Sequence, residues 1–206
     1  MPVELDEALQ QISEIRGRLA SVETFREYRA LSVAATGLAA VFTGIVQSVW
    51  LPKPESDPPR WVLLWVGGAL LCLMGAGAEI LHGYWKCQSP HRRATTRIVL
   101  SHLVPPITAG GVLAWALSMR GADSAGLLPG LWAVLVSLGI FASRRHLPRA
   151  IGWVALYYLA AGSAILFLLP GTAALAPWVM AATFGLGQLA AALVLYWNLE
   201  RDASQE

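Results

Sequence analysis

Glu79 is the one acidic residue set well inside an apolar stretch of this chain. A charge at that depth in lipid costs about 2.5–3.5 kcal/mol on insertion scales. A carboxyl kept there is expected to carry a proton, touch a ligand or balance another charge. The plainer reading is a protonated acid sharing one hydrogen bond between helices. His102 stands at a similar count from the basic loop that joins its stretch to that of Glu79. Tyr157 and Gln188, with Thr36, fall at about the same level of later and earlier stretches. These residues define a candidate ligand or proton site on one side of a helical bundle. The competing reading is a set of unconnected polar groups, each bonded to nearby backbone.

His82 follows Glu79 by three positions, which puts both on one face of a helix. A Glu-x-x-His pair is half of the ligand set that holds two irons in some bundles, but that set needs a second pair and two more carboxylates. Neither occurs here. Haem ligation by His82 and His102 is allowed by their number alone. Cys87 and His91 lie near His82, yet the spacing fits no closed four-ligand zinc pattern. No metal site is therefore assigned, and no cofactor is specified. Walker loops, Gly-rich dinucleotide fingerprints, His-Glu-x-x-His and Gly-x-Ser-x-Gly are all missing. No catalytic residue is assigned either.

The elements that position these residues are set by solvation. The 206 residues are 56% hydrophobic and 14% charged, against about 25% charged in an average soluble domain. Charges gather in the first 29 residues, in short loops and at the C-terminal tail. Between them run apolar stretches of the roughly 20 residues that cross a ~30 Å hydrocarbon layer as helix. Lipid offers no partners for backbone N–H and C=O groups, so helices are expected, and the alternation of a membrane strand is absent.

The fold class read from this pattern is all-α: a polytopic transmembrane bundle of about six spans with an N-terminal amphipathic cytosolic helix. The spans are Ala30 to Trp50, Trp61 to Trp85, Ile98 to Met119, Ala125 to Ala142, Ala150 to Leu169 and Ala176 to Trp197. Residues 1–29 form a cytosolic or interfacial segment, 30–199 the membrane domain and 200–206 a short cytosolic tail. The fourth span carries Pro129 and Gly130 near its start and is the one expected to be short or tilted. Pro105-Pro106 and Gly110-Gly111 are expected to bend or loosen the third. Span one gathers Ser32, Thr36, Thr43 and Gln47, with Gly37 and Gly44, largely on one face, a pattern that favours close helix packing over a hydrophilic path.

Twelve of the fifteen Lys and Arg residues fall on one side of this topology. The positive-inside rule then places both termini and both basic loops in the cytosol. Trp50, Trp61, Trp85, Trp132, Trp153, Trp178 and Trp197 lie near span ends, where an indole is expected to sit among headgroups. The first residues are acidic and lack the basic opening of a signal peptide, so the first span is expected to be retained. Cys72 and Cys87 read as free thiols. Each outer turn pairs a proline with a tryptophan, a hint of three repeated hairpins that plain boundary demands explain as well.

Leu5, Leu9, Ile12, Ile15 and Leu19 recur at helical steps ahead of the first span. The segment from Glu4 to Arg29 has a net charge of −2 (six acidic, four basic), which favours a protein partner or self-association over an anionic lipid surface. Arg92, Arg93, Arg144 and Arg145 are candidate contacts for lipid headgroups, although the positive-inside rule accounts for them alone. The overall charge of +2 implies no nucleic-acid partner. The expected function is that of a non-enzymatic integral protein of a bacterial inner membrane. It would act as a small subunit, sensor or regulator through its cytosolic helix and loops. The alternatives are a small transporter or channel with a proton-sensitive layer around Glu79 and His102, and a membrane enzyme or metal or haem carrier.

Overall fold

The computed structural model describes residues 30–86, 90–144 and 148–200, with side chains described outside 79–103 and 199–200. Every regular element among them is helical. Helix α1 is Ala30–Trp50 and α2 is Pro58–Lys86, joined through a 3-10 turn at Pro54–Ser56. Helix α3 is Pro90–Ser118, α4 the single turn Ala122–Ala125, α5 Leu128–Ser143 and α6 Ile151–Leu168. A second 3-10 turn, Gly171–Leu175, leads into the last rod. That rod is built of α7 (Pro177–Met180), a π turn (Ala181–Leu186), α8 (Gly187–Leu195) and a second π turn (Tyr196–Glu200). The expected N-terminal helix with Leu5, Leu9, Ile12, Ile15 and Leu19 lies outside the described residues, as do Cys87, Arg145 and the tail.

Proline starts several of these helices. Pro58 and Pro177 are first residues, and Pro129 is the second residue of α5. The first turn has no use for an N–H there, and the fixed φ of proline suits it. At the head of α2 the Asp57 carboxylate also accepts the Arg60 backbone N–H at 3.2 Å and pairs with its guanidinium at 3.0 Å. Within α3 the Pro105-Pro106 pair does not end the helix. Thr108 Oγ1 donates back to the carbonyls of Val104 and Pro105, at 3.0 and 2.9 Å.

Five helical rods are long and apolar enough to cross a membrane: Ala30–Trp50, Pro58–Ala78, Ala122–Ser143, Ile151–Leu168 and Pro177–Asn198. At 1.5 Å per residue each reaches about 27–33 Å, the thickness of the hydrocarbon layer. The fourth expected span is thus full length once α4 and α5 are taken together, because the chain stays helical or turned through Gly126 and Leu127. In the third expected span the apolar described part is Val104–Ser118, at the C-terminal end of α3.

Packing is closest between helices that are not joined by a turn at the weakly charged end. α5 lies along α6, and α1 lies along the last rod. Both seams are made by glycines. A Cβ on Gly130 would stand 2.9 Å from the Gly162 carbonyl oxygen, and one on Gly162 would stand 2.8 Å from that of Gly130. A Cβ on Gly37 would lie 3.1 Å from the Gly185 oxygen, and one on Gly44 would lie 2.9 Å from Ala181 Cβ. Small residues at membrane contacts let backbones approach and gain dispersion that larger side chains would block. The packing reading of the first span's small face therefore describes Gly37 and Gly44.

The two ends differ. Ala30, Ile151 and Leu195 share one buried cluster at the basic end. At the other end the Pro54–Ser56 turn, α4 and the Gly171–Leu175 turn pack together, burying Pro54, Ala125 and Leu175. Gly171 takes a positive φ of 57° there, and its carbonyl abuts Gly126.

Candidate functional site

Two polar assemblies tie the helices together. The first lies near the weakly charged end. Gln47, in the last turn of α1, has no exposed surface. Its Nε2 donates to the Leu175 carbonyl at 2.8 Å, and its Oε1 accepts Trp65 Nε1–H at 2.7 Å. One amide thus joins α1, α2 and the turn that enters the last rod. Both ends of the amide are used, which a buried polar group in an apolar setting requires.

Trp65 continues into an aromatic stack. Its ring lies 6.5 Å from that of Trp61, which stacks on Trp132 at 5.8 Å with 6° between planes. Trp132 Nε1 donates to the Gly110 carbonyl at 3.1 Å, fastening α5 to α3. The expectation that Trp61 sits among headgroups is wrong: it is fully buried, with its Nε1 unbonded in the core. Trp132 is half-buried in the same stack. The reason is that α2 begins at Pro58, before the expected Trp61, so its first turn is already covered by the packed turns of that end. Trp50, Trp153, Trp178 and Trp197 are exposed on the bundle surface. Two of the three Pro-Trp turns therefore deliver their indoles to one stack, and the third, at Trp178, leaves its indole exposed, so the turns are not equivalent units.

The second assembly lies toward the basic end, between α6 and the last rod. Tyr157 Oη donates to the carbonyls of Ala182 and Thr183, at 3.1 and 3.3 Å. Both belong to the π turn, whose wider register takes backbone groups out of the α-helical pattern. The neighbouring Tyr158 is buried, with its ring 5.7 Å from Phe184 and its hydroxyl unbonded. It fills the space that Gly187 leaves by lacking a Cβ. Gln188 is half-buried and faces α1, its Cβ 3.2 Å from where a Cβ on Gly37 would stand.

Of the residues read as one polar layer, Gln188 lies beside Gly37, the neighbour of Thr36, and Tyr157 reaches the π turn that precedes Gln188. Their polar atoms are not joined to each other by the bonds seen. Thr36 Oγ1 turns back to the Val33 carbonyl at 2.7 Å, and Tyr157 is engaged with the π turn. The backbones of Glu79, His82 and His102 are helical, in α2 and α3, and their side chains lie outside the described ones, as do those of Arg92 and Arg93. Arg144 closes α5, and its guanidinium lies over Gly152 at the start of α6. Among the described residues no group of three or more His, Cys, Asp or Glu is placed to hold a metal.

Sequence reasoning did not single out Trp65, Ser137 or Tyr158. Ser137 Oγ donates across the α5–α6 seam to the Ala155 carbonyl at 2.8 Å. Each reads in sequence as an ordinary residue of an apolar helix. Gln47 and Trp65 stand at unequal counts from the turn at 51–57, four residues before it and eight after it, so nothing in the sequence signals that they meet.

The fold and these assemblies define a helical bundle of the membrane-protein kind, in which Gln47, Trp65, Trp132, Ser137 and Tyr157 link elements while Thr36, Thr43, Ser48, Thr108 and Ser118 bond back to their own helices. Compared with known protein families, curated proteins and solved structures, the chain has no match.

Proposed function

We propose that this chain is a six-span inner-membrane protein with both termini in the cytosol, acting as a small non-enzymatic subunit, sensor or regulator. The observation that carries the reading is how the polar side chains of the described bundle are used. Gln47, Trp65, Trp132, Ser137 and Tyr157 are spent on helix-to-helix bonds, and both main seams are filled by glycine against carbonyl. A catalytic or conducting centre needs polar groups converging on a space left for substrate. The use of these described groups in packing supports a working surface in the cytosolic segment 4–29 and the basic loops. The sixth span in this reading is α3, whose 29 helical residues reach about 43 Å. The asymmetry of Lys and Arg supports the orientation.

Native mass spectrometry after gentle detergent extraction tests the reading. A protein partner in fixed ratio, lost on deleting residues 2–27 while insertion persists, is the expected result. Recovery of the same partner after the deletion would remove the role of the segment. Solute flux in liposomes whose pH dependence shifts in Glu79→Gln would replace the reading with a transporter.

A further inference from the structure

The π turn in the last rod has two tyrosines of α6 set against it, and they do opposite things. Tyr157 reaches the carbonyls of Ala182 and Thr183. Tyr158 is bonded to nothing through its hydroxyl and presses on Gly187. A π turn holds one more residue than an α turn, so every residue beyond it is displaced by one position from where an unbroken α-helix would carry it. Each position is about 100° around the axis. In the π register the residue facing Tyr158 is a glycine, and any Cβ there would overlap the ring. In the α register Leu186 would take that place. Tyr158 and α6 would then have to move.

The geometry points to a register switch in the last rod, latched by the Tyr157 hydroxyl. In the latched state the π turn is held by the Tyr157 hydroxyl, whose one hydrogen is shared between the two carbonyls, Gly187 lies against Tyr158, and Gln188 faces Gly37 of α1. On release the turn tightens to α, segment Gly187–Leu195 rotates against α1, and Leu186 displaces Tyr158. Motion of α6 and rotation of the last rod are thereby one event, because a packed seam has discrete arrangements and does not deform continuously. The Tyr158 hydroxyl forms no bond that would oppose the displacement.

Disulfide formation between two placed cysteines reads the register. In full-length protein carrying Cys72→Ser and Cys87→Ser, Gly37→Cys and Gln188→Cys are added and the chain is held in nanodiscs. The 3.2 Å between the two Cβ positions is close to the roughly 3.5–4.5 Å that a disulfide needs. The bond should form readily, and adding Tyr157→Phe should slow it about fivefold, the scale of one lost hydrogen bond. Adding Tyr158→Phe should leave it unchanged. Equal rates with and without Tyr157→Phe would overturn the latch.

Amide hydrogen exchange on the chain without the added cysteines gives a second reading, independent of any strain at position 37. Exchange of amides 182–188 should rise about fivefold in Tyr157→Phe, again one hydrogen bond's worth, and stay at the wild-type rate in Tyr158→Phe. The same rise in both variants would mark plain packing loss and sink the switch.

Discussion

Trp65 gives its indole N–H to the side-chain oxygen of Gln47 at 2.7 Å, and the same Gln47 amide holds the Leu175 carbonyl at 2.8 Å. Replacing Gln47 by Leu would keep the volume and strip both partners. A buried donor and a buried acceptor left bare cost about 1–3 kcal/mol. Gln47→Leu should therefore unfold at lower denaturant in a mixed-micelle SDS titration. An unchanged midpoint would mean that the two groups find other partners.

The glycines of the bundle divide by what surrounds them. Gly162→Ala would push a methyl to 2.8 Å from the Gly130 carbonyl and 3.0 Å from Ala133 Cβ. Overpacking of this kind costs about 1–3 kcal/mol. Gly75→Ala meets nothing within 4 Å and removes a flexible residue from a helix, a gain of about 0.5–1 kcal/mol. The two variants should move the same unfolding midpoint in opposite directions. Equal shifts would contradict the α5–α6 seam.

Closure of the weakly charged end depends on Gly126 and Gly171. A Cβ on Gly126 would overlap the Gly171 carbonyl, which is backbone and cannot swing aside as a side chain would. A Cβ on Gly171 would add the left-handed penalty of about 1–2 kcal/mol and crowd the Asp123 carboxylate at 2.7 Å. Both alanine variants should expose the 119–127 and 169–176 connections to added protease while the helices remain. Protection equal to the wild type would show that the turns do not need this contact.

Tryptophan position can be read by fluorescence. Lipids brominated along their chains quench indoles that face them. Trp178→Phe should reduce the quenchable emission, because that ring is exposed on the bundle surface. Trp61→Phe should leave the quenchable part intact and cost about 0.5–1.5 kcal/mol of stability through the lost stack on Trp132. Loss of quenching in Trp61→Phe would place that residue back among the lipids.

Much of the architecture was legible in the residues alone. Apolar runs near 20 residues, broken by charge, have one common solution in a bilayer, because the cost of an unbonded backbone leaves only helices. The end of the first span agrees at Trp50, where an aromatic residue and the turn that follows mark it directly. The start of the second shifted to Pro58, because a short turn of helix costs nothing in hydropathy and proline is welcome in it. The glycines of span one were recognisable as a packing face. Which helix they face, the last rod and not the next one, was not.

What the sequence by itself determined, then, is a property of single segments: length, polarity and charge bias settle whether a stretch suits lipid and in which direction its loops differ. What only the tertiary structure decided is a property of pairs. Trp61 and Trp178 both follow a proline in a turn at the weakly charged end, yet one is sealed in a stack and the other is exposed on the bundle surface. Tyr157 reads as a member of a polar layer and proves to hold the carbonyls of a π turn that Ala-Ala-Thr-Phe-Gly-Leu does nothing to announce. Hydropathy sums over a helix and is blind to rotation about its axis. Burial and hydrogen bonding depend on that rotation and on the neighbour it meets.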